Sequence, residues 1–159
     1  MKLLTKPQLI RIYHYPEFKN FVDAFEYNGV ERIHLNMVEF KDDLLSGYQT
    51  FVRGEIYAMW YDNNPVGIGG VIPYNDYSGY VWMLLNPEPK CLKTVVSTIH
   101  GLIYKFLFVN KLIRLFSFVV ADTPAERFIR HFGFYEEGFM KHFYGWNIHA
   151  KIYGLTREI

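Results

Sequence analysis

The stretch Val119-Val120-Ala121-Asp122-Thr123-Pro124-Ala125-Glu126-Arg127-Phe128-Ile129-Arg130-His131-Phe132-Gly133-Phe134-Tyr135-Glu136-Glu137-Gly138 changes its hydrophobic period twice. An apolar run ends at Val120. Thr123-Pro124-Ala125-Glu126 then reads as a capping box with proline at the first helical position, where its missing N–H costs nothing. The spacing predicts that the Thr123 hydroxyl accepts an N–H of the first turn while the Glu126 carboxylate reaches back. Ala125, Phe128, Ile129 and Phe132 make one apolar helical stripe. Gly133 stands where a helix ends in a left-handed residue. The segment is therefore strand, short capped helix, strand.

Upstream, Arg114 to Val120 is a short apolar run of buried-strand type. Leu92 to Val109 keeps the helical period through Leu92, Val95, Val96, Ile99, Ile103, Phe106 and Leu107. The charges of Lys105, Lys111 and Arg114 fit a core helix and a core strand better than a membrane span. Downstream, Phe134–Phe143 and Ile148–Arg157 read as strands around Tyr144-Gly145-Trp146-Asn147.

The first half is read the same way. Gln8 to Tyr15 is a strand, and Pro16 opens a helix with Phe18, Phe21, Val22 and Phe25 on one face, stopped by Asn28-Gly29. A second helix is expected from Asn36 to Leu45. Glu55–Tyr61 and Val66–Ile72 form a hairpin about Asp62-Asn63-Asn64-Pro65, and Tyr80–Leu85 follows a turn at Asn75–Gly79. Gly67, Gly69 and Gly70 point to a bulge or a close backbone approach.

The order β-α-α-β-β-β-α-β-α-β-β predicts an α/β domain, residues 1–159, with a mixed, twisted sheet and helices on both faces. With 159 residues, 50% hydrophobic and 21% charged, the chain can bury a sizeable core, and wholesale disorder is excluded. A formal charge of +1 gives no basic field to recruit nucleic acid. Residues 1–89 hold 7 basic and 11 acidic side chains, and residues 90–159 hold 10 and 5, so the second part favours an anionic ligand. Cys91 is the sole cysteine, which excludes an intrachain disulfide and a cysteine zinc site. Met1 to Pro7 lacks the apolar run of a secretory signal. Both features predict a reducing, cytoplasmic setting without a membrane partner.

The pattern resembles the GNAT superfamily of acetyl-coenzyme A-dependent N-acyltransferases over about residues 8–157. The quoted stretch carries most of the likeness, with the closing Lys151-Ile152-Tyr153-Gly154-Leu155 and the glycine-bearing hairpin 56–72. The resemblance implies that acyl-coenzyme A lies between the fourth and fifth strands, its pantetheine arm paired with Met83, Leu84 and Leu85. It implies that the pyrophosphate rests at the start of the long helix, on Lys90, Cys91, Leu92, Lys93 and Thr94. The family's two glycines there are replaced by Cys91 and Lys93, so Lys90, Lys93 and the Thr94 hydroxyl are the expected anion donors. The family's proton-donating tyrosine falls on Ile129, with Tyr135 and Tyr144 nearby in sequence. Its occasional glutamate base has no counterpart in Tyr80–Leu85, with Asp76 and Glu88 just outside. No catalytic residue is assigned.

The altered loop also resembles small GNAT-like proteins of tailed bacteriophages. That likeness implies a second function: a catalytically silent scaffold, sited in the virion or host cytoplasm, that binds a phage or host protein. Transfer to an amine acceptor and scaffolding both stay open at this point.

Other constellations are weaker. Among His14, His34, His100, His131, His142 and His149, no pair has metal-ligand spacing with a carboxylate, so no metal site is expected. His142 and His149 can face each other across the last hairpin. Cys91 at a helix start is a nucleophile only if a base partner is found. Trp60, Trp82 and Trp146 suit core or interface positions better than nucleic-acid stacking.

Overall fold

The computed structural model describes residues 8–26, 37–86 and 91–157, with side chains at all of these except 37–40. Among the described residues, seven strands form one sheet in the order β1-β2-β3-β4-β5-β7-β6. They are β1 (Gln8–Ile12), β2 (Glu55–Tyr61), β3 (Asn64–Pro73), β4 (Ser78–Leu85), β5 (Arg114–Val120), β6 (Tyr135–Gly145) and β7 (Ile148–Thr156). Only β4 and β5 run parallel; every other neighbouring pair is antiparallel. The sheet is mixed, as the element order predicts.

Helices cover both faces. On one lie α1 (Tyr15–Ala24), α2 (Met37–Ser46) and the single turn α3 (Tyr48–Phe51). Phe18, Phe21, Val22 and Phe25 pack there against Ile56, Ala58 and Ile68. A fully buried side chain of this size contributes about 1.5–3 kcal/mol. On the other face lie α4 (Leu92–Tyr104) and α5 (Pro124–His131). Val95, Ile99, Phe106 and Leu107 pack against Tyr57, Leu115, Val119 and Tyr153. The stretch Leu92–Val109 has the length and composition of a membrane span. Here its apolar stripe is a core face.

Several boundaries differ from the sequence reading. β1 stops at Ile12, because α1 already begins at Tyr15 with Pro16 in its first turn. The first hairpin turn is only Asp62-Asn63, both at positive φ (48° and 62°), the mirror-image turn that matches strand twist. Pro65 therefore lies inside β3, at the register shift opposite Met59 and Trp60, where a missing N–H is tolerated. The close approach expected of the β3 glycines is real: a Cβ on Gly70 would overlap the Glu55 carbonyl. The long helix is α-helical only to Tyr104; Lys105–Val109 continues as a π-helical turn. The stop at Asn28-Gly29 lies outside the described residues.

The capping box is also rearranged. The Thr123 hydroxyl donates to the Val120 carbonyl at 2.7 Å instead of accepting from the helix. The Glu126 carboxylate accepts the Asp122 N–H at 2.6 Å, one residue further back than expected. Asp122 sits at φ 60°, and this left-handed residue tightens the corner. Gly133 ends α5 at φ 90°, as its position predicts.

Candidate functional site

β4 and β5 pair over three residues only: Ser78, Gly79 and Tyr80 against Arg114, Leu115 and Phe116. Beyond them the strands part. Residues 81–85 still pair with β3, and 117–120 still pair with β7, but no ladder joins them to each other. The gap runs through the sheet, so side chains from both layers line one cavity of about 420 Å³. Val81, Met83, Ile99, Phe106 and Phe128 line it towards α4 and α5; Phe51, Trp82, Leu84, Phe118 and Tyr144 line it too.

The lining is almost wholly apolar. Its polar side chains are the hydroxyls of Tyr57, Tyr80, Ser117 and Tyr144 and the indole of Trp82. No carboxylate and no imidazole lines it among the described residues. Burial pushes the Tyr80 phenol up, against an opposing hydrogen bond with Ser117. The Trp82 indole stacks on Phe51 at 4.2 Å, and its buried N–H has no acceptor among the described residues.

Two buried carboxylates stand behind the lining, each tied into a network. Glu55 accepts from the Tyr57 hydroxyl (2.5 Å), Lys105 Nζ (2.6 Å) and the Asn110 amide, with Arg11 at 3.5 Å. Burial alone would raise its pKa, but the hydrogen bonds from Lys105, Tyr57 and Asn110 outweigh it and hold the carboxyl below its ordinary value. Burial and the bond to Glu55 push the Tyr57 phenol far up. Glu126 accepts from the Tyr153 hydroxyl (2.5 Å) and Lys151 (2.9 Å) besides the Asp122 N–H. Its carboxyl is likewise held low against the opposing effect of burial. Neither network was legible as a whole in the sequence, because each joins distant residues, Glu126 to Tyr153 across 27 positions and Glu55 to Lys105 and Asn110 across 50 and 55.

The sequence-predicted residues divide. Met83, Leu84 and Leu85 stand on the parted segment of β4, with Met83 and Leu84 in the cavity lining. Leu92 and Lys93 are exposed at the start of α4. Cys91 is buried at the helix cap. The Thr94 hydroxyl donates its single proton to the Cys91 carbonyl at 2.7 Å. Lys90 and Glu88 lie outside the described residues. Ile129 lines the cavity where the family resemblance places a tyrosine; Tyr144 lines it as well, while Tyr135 points outward, 61% exposed. Asp76 is exposed.

His142 and His149 do meet across the last hairpin, ring centroids 4.9 Å apart. Each Nδ1 accepts a backbone N–H, His149 from His142 and His142 from Asn147, so they fasten the turn. No metal-ligand cluster occurs among the described residues.

No protein-family model matches the sequence, and no curated protein matches it. Solved structures do. A spermidine N-acetyltransferase variant from Vibrio cholerae superposes with a TM-score of 0.67 at 14% identity, over 95% of this chain and 94% of that one. The ribosomal-protein-S5-alanine acetyltransferase of Vibrio fischeri gives 0.67 at 13%, over 99% and 96%. A GNAT-family chain from Desulfovibrio desulfuricans gives 0.62 at 15%, over 94% and 98%. At such identities the likeness is one of architecture, and the architecture is established: this chain has the fold of the GNAT-family acetyltransferases.

Proposed function

We propose that the protein is an acyl-coenzyme A-dependent N-acyltransferase. The parting of β4 from β5 carries this reading. It leaves two strand edges facing a gap without ladder partners, beside an apolar cavity. Backbone groups in that state need hydrogen-bond partners. An extended, amide-bearing arm with an apolar stem supplies them, and acyl-coenzyme A has such an arm. Met83, Leu84 and Leu85 would hold it from one side. Lys93, and Lys90 before it, would meet its phosphates at the start of α4, in the basic part of the chain.

Bound acyl-coenzyme A would supply an activated thioester. The chain's own part is then to align an amine in a dry cleft and to return a proton to the departing sulfur. Dry walls strengthen each remaining polar contact. Among the lining hydroxyls, Tyr80 and Tyr144 would return that proton; burial further disfavours the Tyr80 phenolate.

The test is calorimetric titration with acetyl-coenzyme A, followed by thiol release over a panel of amines. Binding with turnover is the expected result. Absence of heat at millimolar ligand overturns the reading.

A second reading, a silent scaffold that binds a phage or host protein, is favoured by one observation. The tip of the β6–β7 hairpin exposes Phe143, Tyr144 and Trp146, the last 82% exposed. Such aromatics anchor protein interfaces. Acetyl-coenzyme A binding without turnover of any amine, together with a partner lost in Trp146→Ala, would favour that reading.

A further inference from the structure

We infer that the acceptor is an aromatic amine that is already neutral at physiological pH. This rests on the acyltransferase reading and names its substrate class. Acyl transfer needs a free lone pair on the attacking nitrogen. An alkylamine arrives as an ammonium ion, so its site must supply a base and must stabilise the cation until the proton leaves. The cleft offers neither among the described residues. Its lining has no carboxylate and no imidazole. The two carboxylates behind it are already engaged, Glu55 by Tyr57, Lys105 and Asn110 and Glu126 by Tyr153, Lys151 and the Asp122 N–H. Bringing an ammonium into such walls carries the full cost of an unpaired buried charge.

An arylamine removes both demands. Its lone pair is shared with the ring, so the nitrogen is unprotonated near neutrality and needs no base before it attacks. Its flat apolar body suits the aromatic part of the lining: Phe51 stacked on Trp82, with Phe118 and Tyr144. Phe118 belongs to a ring series, packing on Tyr80 at 5.6 Å and on Phe143 at 5.7 Å, and Phe143 meets Tyr144 at 5.0 Å. Ring-on-ring contact favours an aromatic guest beyond the area it buries. The Trp82 N–H, without an acceptor among the described residues, is a donor for an oxygen on that guest.

The chemistry balances without another reagent. The nitrogen lone pair forms a bond to the thioester carbonyl carbon, and the carbon–sulfur bond breaks with its electrons going to sulfur. The proton that nitrogen loses on becoming an amide is matched by the one the thiolate takes up.

The experiment compares 4-methylaniline with benzylamine, which have similar shape and differ in basicity, and adds spermidine as a polycation. Acetylated product is measured by mass spectrometry with acetyl-coenzyme A as donor, and binding of acetyl-coenzyme A is measured separately by calorimetry. The expected result is 4-methylaniline turned over at least about tenfold faster than either alkylamine at neutral pH, with a rate nearly flat over roughly pH 6 to 9. Faster acetylation of benzylamine or spermidine overturns the inference and leaves the transferase reading standing. So does a 4-methylaniline rate that climbs with the ionisation of a protein group, since that reveals a base. Failure to bind acetyl-coenzyme A, or binding without product from any amine, overturns the inference and the transferase reading together.

Discussion

Arg114 and Glu137 form a two-pronged ion pair, Nη1 to Oε1 at 2.8 Å and Nη2 to Oε2 at 2.5 Å, lying over Gly154 of the strand between theirs. A Cβ at 154 would collide with the Glu137 carboxylate and crowd the guanidinium. The hydrogen bond from Arg114 holds the Glu137 carboxyl below its ordinary value. The pair ties β5 to β6 across β7, which stiffens the half of the sheet on the far side of the cleft.

Gly154→Ala is accordingly expected to destabilise the fold by about 1–3 kcal/mol, through crowding and loss of the pair. Glu137→Gln should cost no more than about 1 kcal/mol, because the pair is partly exposed and screened. Urea denaturation of both variants checks the ranking. Equal losses would show that the pair, and not the space above Gly154, is what matters.

Gly101 is the counterexample. It lies inside α4, exposed, and a Cβ there meets nothing within 4 Å. Gly101→Ala should raise stability by about 0.5–1 kcal/mol, since alanine loses less backbone freedom in a helix. The same denaturation assay reads it as a higher midpoint with an unchanged slope.

Acid should unfold the protein through Glu55 and Glu126. Both carboxyls are held below the ordinary value of 4.5 in the fold. Their contribution is complete above that value and is lost as pH falls through it towards the folded value. Glu55→Gln should lower stability at neutral pH by about 1–3 kcal/mol, leaving Lys105 without its buried anion, and should flatten the acid limb. Melting temperatures across an acid series decide this; an unchanged acid limb in the variant would exclude Glu55 as a contributor.

At the anion end, Lys90→Ala with Lys93→Ala should weaken acetyl-coenzyme A by roughly a hundredfold, at about 1.5–3 kcal/mol for each charged hydrogen bond. Thr94→Ala should leave affinity nearly intact, because that hydroxyl already gives its proton to the Cys91 carbonyl. Calorimetry at low and high salt separates them: the lysine contribution falls with salt and the threonine contribution has nothing to lose. Unchanged affinity in the double variant would place the anchor elsewhere.

Local signals carried the fold well and the site poorly. Arg114–Val120 was bounded correctly because an apolar run between turn residues has one reading. Thr123 to Gly133 announced a helix and its stop, both of them nearest-neighbour chemistry. The direction of the Thr123 hydroxyl escaped, since it depends on the left-handed Asp122. The π-helical turn at Lys105–Val109 escaped as well, and the contact of Lys105 with Glu55 there spans fifty residues. The cleft's position came from the family resemblance, which places a ligand between the fourth and fifth strands. Its aromatic walls did not, because Phe51, Trp82 and Phe118 are ordinary core residues until the sheet opens between them.

The three-residue seam between β4 and β5 also makes the chain divisible. Among the described residues every antiparallel ladder closes within 8–85 or within 114–157, and the strand pairing across runs from Ser78–Tyr80 to Arg114–Phe116, with the Tyr77 carbonyl accepting from Ile113 and Arg114 beside it. A cut between Leu85 and Leu92 would yield two fragments, each holding one complete block of sheet. The second would carry α4, whose Val95 and Ile99 pack in one cluster with Tyr57 and Met59 of the first. Co-expressed fragments should therefore reassociate through that helix, as a split reporter does, with a bound molecule in the gap acting as the clasp.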